Sequence, residues 1–152
     1  MGFIGTGLRG KLAIAALFLF FTAASLWPQV SEPVSFIGMT LAETIQRFGI
    51  PRSVYAVRGI DEWQDDVVFV YDAADFYIYK DRVWQAGLKE ARGIKIGDPG
   101  AVIPLILGSS AVDMRENSFF YSINEGAWPL VLRFNTDNTG IIKAIFIYRT
   151  DM

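Results

Sequence analysis

Ile37-Gly38-Met39-Thr40-Leu41-Ala42-Glu43-Thr44-Ile45-Gln46-Arg47-Phe48-Gly49 and Ile96-Gly97-Asp98-Pro99-Gly100-Ala101-Val102-Ile103-Pro104-Leu105-Ile106-Leu107-Gly108 follow one pattern. Each opens on Ile-Gly, places a helix-capping residue soon after, runs apolar, and closes on a glycine eleven positions after the first. The two stretches are offset by 59 residues. A recurrence of that length marks two copies of one supersecondary unit.

The first copy predicts a short helix. Thr40 can cap it, and Glu43 three residues on completes a capping box. Leu41, Ile45 and Phe48 share a face at helical spacing. Gly49 suits a left-handed terminus, and Pro51 prevents continuation. In the second copy Asp98 is the expected cap and Pro99 the first helical residue. Pro104 then falls in the helix interior, where a missing N–H and a ring clash cost about 3 kcal/mol, so a kink or break is expected there.

Strand-like runs rich in aromatic and β-branched residues follow each helix, at 54–58, 67–71, 75–80 and 82–88 and again at 111–115, 118–123, 130–135 and 141–149. Lys80-Asp81 reads as a tight hairpin turn and Asp137-Asn138-Thr139-Gly140 as a longer one. Residues 90–95 read as a linker. The expected fold is α+β: two tandem helix-plus-antiparallel-meander repeats, 36–90 and 94–152, forming a curved sheet of about eight strands.

The chain has 152 residues, enough for one compact domain, 31–152, behind a leader, 1–30. Arg9 and Lys11 precede an apolar run from Leu12 to Trp27, and Thr22-Ala23-Ala24-Ser25 supplies small residues for a peptidase. This is the grammar of a secretory signal, with cleavage after Ala24 or Ser25. The alternative is an uncleaved anchor contacting the membrane through 12–27, although sixteen apolar residues fall short of the roughly 20 a span needs. Either way the domain is exported, to the periplasm or anchored facing it. Without Arg9 and Lys11, 12 basic residues stand against 16 acidic ones, which argues against nucleic acid as a partner. The sequence holds neither cysteine nor histidine. That removes disulfide frameworks, the usual zinc sites, and the Ser-His-Asp and Cys-His nucleophile systems. The residues point to no cofactor, no metal and no enzyme.

Gly38-Met39-Thr40, with Gly49 eleven residues after Gly38 and then Pro51, resembles the helix motif of the small outer-membrane assembly lipoproteins. It is similar also to the secreted β-lactamase inhibitory proteins, built of tandem halves of a helical segment plus four strands. The resemblance covers about residues 36 to 150, and implies the tandem α+β fold and an envelope partner protein. Two departures stand out: the lipidated cysteine of the first family and the disulfides of the second are both absent here. Ala73-Ala74-Asp75-Phe76-Tyr77-Ile78-Tyr79 resembles the inhibitor hairpin that enters an enzyme cleft. On that likeness Asp75 is the inserted carboxylate, flanked by Phe76, Tyr77 and Tyr79. The plainer reading is a turn followed by alternating strand aromatics.

Other constellations carry less. Asp61, Glu62, Asp65 and Asp66 around Trp63 read as a solvated acidic loop, since nothing fixes the six or more oxygens a hard cation wants. The 135–140 stretch echoes a calcium loop, but position 146 is Phe where a bidentate acid is needed, so a β-turn is the better reading. Asp72 and Asp75 raise the idea of a carboxylate-dependent hydrolase. The aromatics are the better lead: Tyr55, Trp63, Tyr77, Tyr79, Trp84, Tyr121, Trp128 and Tyr148 are many for this length. A sheet covered by helices on one face leaves the other open. Alternation puts Tyr77 and Tyr79 on one face, with Phe76 and Ile78 on the other, and Arg133, out of phase with Leu132 and Phe134, on the open side. The expected partner-binding residues are Asp75, Phe76, Tyr77, Tyr79, Trp84, Trp63 and Arg133.

Overall fold

The computed structural model describes residues 33–58, 66–124 and 126–152. The expected leader, 1–30, and Trp63, with the rest of 59–65, lie outside them. Four antiparallel strands follow the first helix: β1 (Ser53–Val57), β2 (Asp66–Val70), β3 (Ala74–Tyr79) and β4 (Arg82–Leu88). A small ribbon, β5 (Glu90–Ala91) with β6 (Ile94–Lys95), occupies the expected linker. Its turn is Arg92-Gly93, both at positive φ. Four more antiparallel strands complete the fold: β7 (Val112–Arg115), β8 (Ser118–Ile123), β9 (Leu130–Thr136) and β10 (Ile142–Arg149).

The two meanders fuse through their last strands, giving one eight-stranded sheet in the order β1-β2-β3-β4-β10-β9-β8-β7. With helices α1 (Leu41–Phe48) and α2 (Val102–Leu107) packed on it, the architecture is α+β. Among the described residues no helix is long and apolar enough to cross a membrane.

Local chemistry accounts for the punctuation. Thr40 and Glu43 close the capping box: the Thr40 N–H donates to Glu43 Oε2 at 2.7 Å and the Glu43 N–H to Thr40 Oγ1 at 3.1 Å. Gly49 ends α1 at φ 78°, ψ −153°, a region that excludes side chains. The Lys80-Asp81 turn has φ of 46° and 65°, the mirror-image geometry that matches the twist of a hairpin. Asp137 organises the longer turn, its Oδ1 accepting from the N–H groups of Thr139 and Ile141 and from Thr139 Oγ1. These bonds hold its carboxyl far below the usual range.

Three local expectations need correction. The inward stripe of α1 is the buried Thr44 with the half-buried Leu41 and Phe48, whereas Ile45 is 43% exposed. Thr44 can be buried because its hydroxyl donates back to the Thr40 carbonyl at 2.8 Å. In the second half Asp98 does not cap α2. Its carboxylate accepts from the Lys95 N–H at 2.8 Å, and Pro99 bridges to Ile141 instead. The helix begins only at Val102, so Pro104 sits in the first turn, where an N–H has no intrahelical partner and none is lost. The predicted kink is therefore absent.

The core lies between the helices and the inner face of the sheet. At one end Phe76 meets Phe48 at 5.0 Å, Phe36 at 5.3 Å and Tyr71 at 5.6 Å between ring centroids. At the other, Phe134, Ile145, Ile147 and Ile103 are fully enclosed. Strand β3 shows the alternation plainly: Ala74, Phe76 and Ile78 are buried, while Asp75, Tyr77 and Tyr79 are half-exposed on the other side.

Candidate functional site

The outer face of the sheet carries a strip of rings. One transverse row runs Val70, Asp75, Gly87, Phe146, Arg133, Phe120, Asp113 from β2 to β7. The next runs Tyr55, Val68, Tyr77, Gln85, Tyr148, Val131, Ser122 from β1 to β8. Directly opposed residues share a face. Tyr55 and Tyr77 flank Val68, which is fully buried on a face that no described helix covers.

Neighbours hold these rings in place. Tyr77 meets Phe146 edge to face at 6.3 Å. Gly87 stands between Asp75 and Phe146 in the row, and a Cβ there would meet both in ordinary contact, at 3.5 Å and 3.6 Å. The Arg133 guanidinium lies over Phe146 at 5.3 Å, and Arg115 over Phe120 at 5.6 Å. Trp84 is the extra residue of a β-bulge: Tyr77 pairs with Gln85 and Ile78 with Val83, so Trp84 has no partner across the ladder. Its indole N–H donates to Asp66 Oδ1 at 3.0 Å.

Of the residues anticipated for binding, the structure places Asp75, Tyr77, Tyr79, Trp84 and Arg133 half-exposed. Phe76 is a correction. It is fully buried and belongs to the inner aromatic cluster, because strand alternation sends it the opposite way from Asp75 and Tyr77. Trp63 lies outside the described residues. Asp75 does not protrude on a hairpin tip. It is the second residue of β3, paired on one side with Val70 and on the other with Gly87. Asp72 occupies the β2–β3 turn, its side chain 75% exposed, in an ion pair with Arg52 at 2.7 Å. Asp72 thus stands in an open solvent setting. Among the described residues no cluster of three or more potential metal ligands occurs.

No family model matches this sequence, and no curated protein does. The fold is similar to that of an extracellular protein containing a SCP domain from Bacillus anthracis str. Ames, known from a crystal structure at 1.5 Å resolution. The TM-score is 0.51 and the identity 10%, over 81% of this chain and 47% of that one. The chain thus spans about half the length of that protein. At such an identity the likeness is one of fold alone.

Sequence reasoning missed Phe146, Phe120 and Val131 as members of the outer face. The signal was present in part: Phe146 lies between Ile145 and Ile147, both buried, so alternation turns it outward. What alternation could not supply was the strand pairing: β9 against β10 sets Phe146 beside Arg133, and β4 against β10 brings it across from Tyr77.

Two groups on this face have displaced titration. Burial raises Asp75 above the ordinary carboxylate range, with Lys89 pulling weakly the other way. Burial also raises the Tyr77 hydroxyl, and the adjacent Tyr55 adds to it. For Asp75 the folded state holds its proton more tightly than the unfolded one. Stability therefore falls as pH rises from the ordinary Asp value of 3.8 through the raised one. Asp75→Asn, which keeps the shape without the charge, is expected to be more stable than the native chain to urea at pH 7. The gain should shrink to nothing below pH 3.8. Equal midpoint differences at both pH values would show that burial of this carboxylate carries no penalty.

Proposed function

We propose that this chain is an exported, non-catalytic protein-binding module of the bacterial cell envelope, recognising another envelope protein through the outer face of its sheet. The carrying observation is the pair of adjacent rows holding Tyr55, Tyr77, Tyr148, Phe146 and Phe120, on the face opposite to both described helices. Aromatic side chains and Arg dominate the energetics of protein interfaces. Rings already braced by neighbours lose little further freedom on docking. The absence of His and Cys from the sequence favours binding over the common nucleophilic chemistries. The leader at 1–30 and the extracellular setting of the protein with a similar fold support export.

The two halves read as a tandem repeat, and the offset of 59 seen in sequence recurs in the hydrogen bonds. The Gly38 N–H donates to the Val83 carbonyl and the Val83 N–H to that of Met39. In the second half, 59 residues on, the Gly97 N–H donates to Ile142 and the Ile142 N–H to Asp98. The bridge Thr40–Arg82 matches Pro99–Ile141 at the same offset. The bulge residue of β4, Trp84, corresponds to Lys143 in β10. A tandem architecture joined at its last strands produces one wide sheet face rather than two narrow ones.

A photo-crosslinking amino acid placed at Tyr77 or Tyr148 in cells should yield a discrete protein adduct. The same group at Leu105, 82% exposed on α2, should not. The double variant Tyr77→Ala, Phe146→Ala should lower the adduct yield obtained from position 148 about tenfold while the domain still unfolds cooperatively. Equal adducts from both faces, or adducts from Leu105 alone, would remove the outer face as the binding surface.

A further inference from the structure

Resting on that reading of the outer face, we propose that it recognises a carboxylate: an Asp or Glu side chain of the partner protein docks on Arg133, beside an apolar side chain seated in the adjoining depression.

Arg133 lies in β9, midway along its row, between Phe146 of β10 and Phe120 of β8. It is half-buried, and its guanidinium rests over the Phe146 ring. Its Nε is enclosed and has no hydrogen-bond partner among the described residues. The described acids on this face are committed or remote. Asp113 pairs with Arg115 at 2.7 Å and 2.9 Å. Asp66 accepts from Trp84. Asp75 is three strands away, about 14 Å at the usual spacing. A cation partly stripped of water by rings, with no counter-charge beside it among the described residues, is complementary to an arriving anion. With Nε enclosed, recognition falls to the two terminal nitrogens, whose fork matches the two oxygens of a carboxylate. The ring beneath holds the plane in position.

The second half of the site lies one step along the same strand. Val131 and Tyr148 line a depression of about 520 Å³, with Phe120 beside them and Asp113 and Arg115 among its polar lining residues. Val131 and Arg133 are two residues apart on one strand, hence about 7 Å apart on the same face. The fitting ligand is therefore a segment that offers an acidic and a large apolar side chain at about that separation. Alternate positions of an extended strand do so. The Asp113–Arg115 pair, exposed on the rim, contributes little energy itself but disfavours a second charge entering the depression.

The test is selection of twelve-residue peptides from a random phage-displayed library on the chain as recovered from expressing cells. Selected peptides should be enriched in Asp or Glu one or two positions from Trp, Phe, Leu or Tyr. Synthetic copies should bind about tenfold more weakly to Arg133→Ala and Arg133→Gln, and to Val131→Lys, and more weakly as salt is raised. Arg133→Glu should select Lys- or Arg-bearing peptides instead. Circular dichroism on every variant separates lost binding from lost folding, and Arg133→Lys, which keeps the charge but not the fork, should give an intermediate affinity. Peptides that need Tyr77 and Phe146 but tolerate Arg133→Ala would overturn the carboxylate proposal and leave the outer face standing. Peptides indifferent to all three positions would overturn both. Selection without acidic enrichment, or no selected peptide at all, would also overturn the carboxylate assignment. So would Arg133-dependent binding to phosphatidylglycerol vesicles in place of peptides, by assigning the site to a lipid headgroup.

Discussion

Replacing Phe76 with alanine is expected to destabilise the domain by about 3–5 kcal/mol, the range for deleting a fully buried phenylalanine. Phe76 has no exposed surface and touches three rings, from Phe36, Phe48 and Tyr71, at centroid distances of 5.0–5.6 Å. Those three come from the turn before α1, from α1 itself and from the end of β2, so the ring ties the first helix to the sheet. A cavity there cannot collapse easily, because Phe76 lies in an inner strand whose backbone is fixed on both sides by β2 and β4. Urea denaturation of Phe76→Ala beside Tyr77→Ala makes the point most clearly. The neighbouring ring faces outward and is half-exposed, so its removal should cost a fraction as much while weakening partner capture. If Phe76→Ala weakened binding without lowering the urea midpoint, the inward orientation of Phe76 would be wrong.

That contrast marks where the sequence was legible and where it was not. Period-two alternation from Ala74 to Tyr79 sorts the strand into two sets, and the structure keeps those sets intact. The hairpin likeness had grouped Phe76 with Asp75, Tyr77 and Tyr79 because it compared residues along the chain instead of across the pleat. The α1 cap was readable in full, since its bonds run between Thr40 and Glu43, three residues apart in sequence. The start of α2 was not. Asp98 had the chemistry of a cap, but the Lys95 N–H captured its carboxylate and bonding to β10 drew Asp98 and Pro99 into extended pairing. Tertiary contacts outbid a local preference there, as they often do in segments this short. Similarly, Arg133 could be placed on a face from its neighbours in sequence, yet its setting depended on Phe146 and Phe120, thirteen residues away on either side and joined to it only by strand pairing.

The glycines that open the two copies offer a second large effect. Gly38 and Gly97 sit at φ of 90° and 99°, conformations that L side chains rarely adopt. Each donates its N–H across to a central strand, Gly38 to Val83 at 2.8 Å and Gly97 to Ile142 at 2.9 Å. Neither backbone can relax without losing the bond that pins its half to the seam of the sheet. Alanine at either site should therefore cost about 1–3 kcal/mol in strain. The surroundings then separate the two. A Cβ on Gly97 meets nothing within 4 Å, whereas one on Gly38 would lie 3.0 Å from the Trp128 indole nitrogen. Any withdrawal of Trp128 disturbs its stack under the Arg149 guanidinium at 3.8 Å, which Asp151 holds in turn through two bonds of 2.9 Å. Gly38→Ala is thus expected to cost about 2–4 kcal/mol, strain and crowding together. It should also shift the tryptophan fluorescence of the folded state, which Gly97→Ala should leave unchanged. Equal losses of stability in the two variants, with no spectral change in either, would mean that Trp128 yields freely and that backbone conformation alone explains both glycines.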